Sequence, residues 1–147
     1  MWRVFCGQAD RYFAFLETDF GFKKKSDKLP LVTYESDKLR LSVYYDAENR
    51  HELDLTIRRL SDDPRKSLSI GIGMLLQLHG ASEKYSTTSP ATESELDDEL
   101  KRMAELLRKY GSRLLSGDLR DFDQAGKIEA ALAKKFGPQT PSSGDQK

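Results

Sequence analysis

Cysteine is nearly absent from this chain, which has one, Cys6, in 147 residues. A lone cysteine has no partner for an intramolecular disulfide, which excludes a disulfide-held scaffold and suits a reducing compartment. With only His51 and His79 besides it, neither a Cys/His zinc set nor a three-histidine zinc site can be assembled. Long apolar runs are missing too, and nothing approaches the ~18–20 residues of a membrane span. The start, Met1-Trp2-Arg3-Val4-Phe5-Cys6, runs straight into Gln8, Asp10 and Arg11 instead of the apolar stretch of a secretory signal. A cytoplasmic protein is expected. Net charge is the last absence. The 24 basic residues balance 24 acidic ones, and locally the counts are 13 against 12 up to residue 66, one against one from 67 to 92, and 10 against 11 beyond. Without a basic arm, attraction to nucleic acid or a membrane surface through bulk charge is disfavoured.

What is present organises into one domain, residues 1–136, followed by a Pro/Ser/Gly-rich tail, 137–147, expected to be disordered. Trp2, Cys6, Ala9, Phe13, Leu16 and Phe20 are spaced as one helical face. Gly7 weakens its first turn, which predicts a regular helix from about Gln8. Gly21 is placed for a left-handed cap with Phe22 folding back on Leu16, and Lys23-Lys24-Lys25 reads as a solvated turn. From residue 30 the period changes to two. Val32 and Tyr34, then Leu39 to Tyr45, then Leu53 to Ile57 alternate as three half-buried antiparallel strands, and Leu68, Ile70 and Ile72 add a fourth. Keeping the apolar set on one face requires an odd-numbered loop, which Ala47-Glu48-Asn49 supplies with Asn49 left-handed; Tyr45 then faces His51 and Val43 faces Leu53. Ser61-Asp62-Asp63-Pro64 is a turn, and Met74 to Gly80 continues as a short helical turn. The polar stretch 81–92 has the size of a functional loop. A long helix starts at Thr92 or Ser94 with an acidic first turn and the stripe Leu96, Leu100, Met103, Leu107, Tyr110, Leu114. Gly111 interrupts it late, Gly117 ends it, and Asp118 opens a last helical segment that Gly126 divides.

No chemistry-bearing motif is complete. Ser69-Ile70-Gly71-Ile72-Gly73 lacks the third glycine of a dinucleotide fingerprint, since position 76 is Leu76. Asp118, Asp121 and Asp123 fit a helix cap and first turn, not a calcium loop. No nucleophile elbow occurs. Neither a metal nor a cofactor is expected. Two residue sets remain as candidates. On the face opposite the core, Arg40, Tyr44, Glu52, Asp54 and Arg58 form the densest mixed patch, with the aromatic and arginine types enriched at interface hot spots. On the core side, Tyr34, Tyr45, His51 and Tyr85 would line a pocket between the N-terminal helix and the sheet, where a histidine paired with a carboxylate could move protons.

Helix, antiparallel meander and long helix in that order, with Phe13-Ala14-Phe15-Leu16 and Phe20-Gly21-Phe22 early, then Leu107-Arg108-Lys109-Tyr110 and Leu114-Leu115-Ser116-Gly117-Asp118 late, resemble small uncharacterised bacterial proteins. Some of these resemble immunity proteins of polymorphic toxin loci. These are packing motifs, and no functional residue carries over from the resemblance. The expected fold is α+β, with an N-terminal helix and two C-terminal helices covering one face of a three- to four-stranded antiparallel meander. The expected function is non-enzymatic, through binding of a protein partner, with no nucleic acid and no membrane involved. The alternative is an enzyme or small-ligand binder using the pocket set.

Overall fold

Which parity of each strand is buried decides the architecture. The computed structural model describes residues 2–28, 30–61, 68–85 and 88–136, the side chains of 135 and 136 excepted. In β2 (Leu31–Glu35), β3 (Leu39–Tyr45) and β4 (Leu53–Arg59), Val32, Tyr34, Leu39, Leu41, Val43, Tyr45, Leu53, Leu55 and Ile57 are buried while their neighbours are not. Two more strands flank these, β1 (Lys23–Ser26) beside β2 and β5 (Ser69–Gly71) beside β4. The result is a five-stranded antiparallel sheet in the order β1-β2-β3-β4-β5.

Five strands, not three or four, is a small departure with a clear cause. Strands reveal themselves in a sequence by apolar alternation, and Lys23-Lys24-Lys25 has none. β1 is held by backbone pairing to β2, and only Lys24 turns toward the helices, where its ammonium pairs with Asp10 at 2.9 Å and Asp27 at 3.3 Å. Its exposed lysines sit on a free edge, a common guard against unwanted strand addition.

The helices cover the apolar face. α1 (Trp2–Phe13) and α2 (Phe15–Phe20) are separated at Ala14. α1 starts at Trp2 rather than near Gln8, and its buried side is Phe5, Ala9 and Phe13, with Trp2 and Cys6 half-buried at the margin. Gly21 closes α2 at φ 72°, and the Phe22 N–H donates to the Leu16 carbonyl at 2.9 Å, as predicted. α3 (Ile72–Leu78) follows β5 directly, then come α4 (Glu93–Leu115) and α5 (Arg120–Phe136). Thr92 caps α4 in a reciprocal box: it accepts from the Glu95 N–H at 3.1 Å while the Glu95 carboxylate accepts from the Thr92 N–H at 3.1 Å. α1 lies against α4, while α3 and α5 close the β5 end. Gly111 does not interrupt α4. A Cβ there would meet Leu107 Cδ1 at 3.0 Å and Leu75 Cδ2 at 3.2 Å, so the missing side chain lets α3 pack close. Nor does Gly126 divide α5. The turn read at Asp62-Asp63-Pro64 and the tail 137–147 lie outside the described residues.

The β3–β4 hairpin keeps the predicted face but not the predicted register. Tyr45 faces Leu53 and Val43 faces Leu55, two residues beyond the tight-loop pairing. Asp46 is the reason. Its carboxylate accepts the backbone N–H groups of Glu48, Asn49 and Arg50 at 3.3, 3.1 and 3.2 Å, and its own N–H donates to the Glu52 carbonyl at 3.0 Å. This builds a wider turn, and the left-handed residue is His51 at φ 57° rather than Asn49. A shift of two preserves parity, so the core is unaffected.

Those N–H donors hold the Asp46 carboxyl below the usual aspartate range. A folded-state pKa below the unfolded one contributes stability that is complete above the unfolded value, about 3.9, and lost as pH falls through the folded value. Asp46→Asn is therefore expected to be less stable than the parent at pH 7 in urea unfolding. The gap should narrow as the pH is taken below about 4.

Candidate functional site

Because the helices all serve one parity, the other parity of the sheet carries no layer among the described residues. Cross-strand partners line up there in three rows. The first holds Lys23, Glu35, Arg40, Arg58 and Ser69; the second Ser26, Thr33, Ser42, Thr56 and Gly71; the third Leu31, Tyr44 and Asp54. Small hydroxyl residues in the middle row leave a trough. It forms a shallow depression of ≈ 490 Å³ bordered by Lys25, Leu31, Glu35, Arg40 and Arg58 among others.

Charge in this depression is uneven. Glu35 reaches Arg40 Nε at 2.6 Å, which occupies one arginine. Arg58 stands directly opposite Arg40 on the next strand and has no ion-pair partner among the described residues. Lys25, Arg40 and Arg58 against Glu35 leave the depression with three positive groups and one negative, in a chain whose net charge is zero. Like charges directly opposite one another destabilise a sheet by several tenths of a kcal/mol, about 0.2–1 for such pairs. Of the five residues predicted for this face, Arg40, Tyr44, Asp54 and Arg58 sit in the rows. Glu52 lies just outside, at the end of the hairpin turn, half-buried.

The predicted pocket residues are placed differently. Tyr34 and Tyr45 are 1% and 0% exposed. Phe13 packs against the Tyr34 ring at 6.5 Å between centroids and Phe5 against Tyr45 at 5.2 Å, so aromatic rings occupy the space between α1 and the sheet. Each phenol is satisfied locally. Tyr34 donates to Asp10 at 3.2 Å, and Tyr45 donates to the Pro90 carbonyl at 2.9 Å and lies 3.2 Å from His51 Nδ1. Burial first, then Asp10, pushes the Tyr34 phenol up; burial, then Asp46, does the same for Tyr45. His51 thus meets a phenol, not a carboxylate. Tyr85 lines another opening, on the loop after α3, with the Arg102 guanidinium 5.5 Å above its ring.

One arrangement escaped the sequence reading altogether. Asp121, 2% exposed, is buried between His79 Nε2 at 3.0 Å and Arg113 at 3.0 Å, tying the end of α3 to α4 and α5. Asp118 instead does what a cap acid does, accepting the Arg120 N–H at 3.1 Å, and the Arg120 guanidinium holds its carboxyl down to about 2. No sequence signal could have linked His79 to Asp121, because they stand 42 positions apart and are brought together only by the packing of α3 and α5. Among the described residues no group of three or more potential ligands could hold a metal ion, and no helix is long and apolar enough to cross a membrane.

The chain is thus an α+β domain with one sheet face buried under helices and, among the described residues, no layer over the other. No family model matches it, and neither the curated proteins nor the solved structures include one similar to it.

Two substitutions test these placements. Asp121→Ala removes a buried acceptor shared by the His79 imidazole and the Arg113 guanidinium and is expected to cost about 2 kcal/mol in chemical unfolding, whereas exposed Asp123→Ala should stay within about 0.5 kcal/mol. Arg58→Glu replaces an Arg–Arg cross-strand pair by an opposite-charge one. It should raise stability by about 0.5 kcal/mol at low salt, with the gain shrinking as salt is added.

Proposed function

We propose that this protein works by binding another protein through its outer sheet face, without catalysis of its own. The observation that carries this reading is the Arg40–Arg58 pair at the border of the trough. An arrangement that costs stability in the free chain is offset when an acidic surface covers it. Tyr44 and Leu31 at the other end of the trough supply an aromatic and an exposed aliphatic anchor, Leu31 being 38% exposed.

Size refines the proposal. Five strands spaced about 4.8 Å and on average about five residues long give a face of about 20 by 17 Å, well under the ~800 Å² that one partner contributes to a standard interface. Contact therefore extends beyond the strands, onto the β1 edge and the turn that carries Glu52. The resemblance to bacterial immunity-type proteins makes an acidic cytoplasmic protein encoded beside this chain the first partner to test. The alternative reading, an enzyme or small-ligand binder with its pocket between the first helix and the sheet, draws no support from rings packed as Phe5 and Phe13 are against Tyr45 and Tyr34.

A photo-crosslinking residue at Thr56, in the middle of the face, is expected to trap one protein in the native host. The same residue at Glu105, exposed on α4, should trap none, and Arg40→Glu with Arg58→Glu should abolish the Thr56 product. Equal labelling from Thr56 and Glu105, or a product indifferent to the arginines, would overturn the proposal.

A further inference from the structure

The three rows on the outer sheet face have a spacing that selects the shape of what can lie on them. Residues two apart on a strand stand about 6.8 Å from one another, so the first and third rows run about 13 Å apart with the middle row between them. The first row is a wall of long side chains with Arg40 and Arg58 at its centre, and the third is a wall begun by Leu31 and Tyr44. The floor between them is Thr33, Ser42 and Thr56, all short. The Thr33 and Ser42 hydroxyls lie 3.5 Å apart and can satisfy each other, so the floor does not call for polar groups from above.

An α-helix with its side chains measures about 10–12 Å across, which matches this channel. Four strand-to-strand steps of about 4.8 Å give a length of about 19 Å, or about 13 helical residues at 1.5 Å each. Two other occupants match less. A second sheet packs about 10 Å away with apolar side chains interdigitating from both inner faces, whereas the outer residues here are mostly polar. An added strand is held by backbone pairing along an edge, and a sheet face offers none.

The walls also match the spacing of side chains on such a helix. Arg40 and Arg58 stand opposite each other on neighbouring strands, as do Leu31 and Tyr44. Each pair therefore spans about 4.5–5.5 Å, close to the ~5–6 Å between positions i and i+3 or i+4 on one helix face. Carboxylates one turn apart would meet both guanidiniums and offset the like-charge opposition of the free sheet. Apolar residues one turn apart on the other flank would cover Leu31 and Tyr44. Asp54, which follows Tyr44 in that row, suits a basic residue a further turn along. Building on the protein-binding reading above, on which this inference rests, we propose that the partner docks as an amphipathic α-helix laid across the strands, with a pair of acids one turn apart on the Arg40–Arg58 wall and an apolar pair on the Leu31–Tyr44 wall.

The test places a short diazirine side chain at Ser26, Thr33, Ser42 and Thr56 of the full chain, one at a time in the native host, and identifies by mass spectrometry the residue of the trapped partner that each site labels. These positions form one row across β1, β2, β3 and β4. A helix advances about three residues for each strand crossed, so the labels should span about ten residues of the partner from Ser26 to Thr56. An extended segment would advance about 1.4 residues per strand and span about four. Arg40→Glu with Arg58→Glu should abolish labelling, and exchanging the two partner acids one turn apart for lysine should restore it. Labels confined to about four residues, or scattered over separate segments, overturn the helix while leaving binding through this face intact, and so does failure of every one-turn acid pair to restore labelling. Absence of a trapped partner from all four sites overturns the helix and the protein-binding reading together. Circular dichroism establishes that each variant is folded; should one site fail, the other three still fix the advance per strand.

Discussion

One-sided burial of the sheet is the constraint on which the remaining structure depends. Alternation commits Val32, Leu41, Val43, Leu55 and Ile57 to one side, and all that apolar area must be covered from that side alone. Phe5, Ala9 and Phe13 of α1 and Leu96, Leu100, Met103 and Leu107 of α4 join these strand residues in one buried core. Burying a side chain of this size is worth about 1.5–3 kcal/mol each against an extended-chain reference. The polar exceptions are paid in kind: the two buried tyrosines find Asp10 and the Pro90 carbonyl, and buried Asp121 finds a histidine and an arginine. The outer face follows from the same alternation, since the residues of the other parity are mostly polar.

Periodicity carries long-range information only where it is strongly apolar. The alternation at 39–45 and 53–57, the stripe of α4, the Gly21 cap and the Thr92 start were all legible, because each rests on a local rule that packing did not overrule. β1 was not, because a strand of lysines owes its existence to the neighbour it pairs with. The hairpin register was half legible: parity follows from the hydrophobic pattern, but the extra two residues follow from three N–H groups converging on the Asp46 carboxylate. A side chain that organises a turn leaves no periodic trace.

The candidate residues divide along the same line. Membership of the open face is a matter of parity, so Arg40, Tyr44, Asp54 and Arg58 fell together as read. Membership of a pocket depends on depth and on what else packs there, and parity is silent on both. Tyr34 and Tyr45 have the right parity for the inner face but sit under phenylalanine rings, and Tyr85 belongs to a loop whose position is set by α4. His79 and Asp121 show the same limit from the other direction. Each was noticed in the sequence for another reason, yet together they form the one buried acid–imidazole contact among the described residues.

The free edge of β1 bears on behaviour at high concentration. Two copies approaching edge to edge would bring Lys23 and Lys25 of each into apposition, while Lys24 is already committed to Asp10 and Asp27. The barrier to such pairing is electrostatic and therefore short-ranged, fading over about 10 Å at 0.1 M salt. The irregular pairing between Lys24 and Ser26 adds a geometric obstacle that salt does not remove. Colloidal stability of this neutral chain thus rests on a local repulsion at one strand, backed by a kink, and not on an overall charge of one sign.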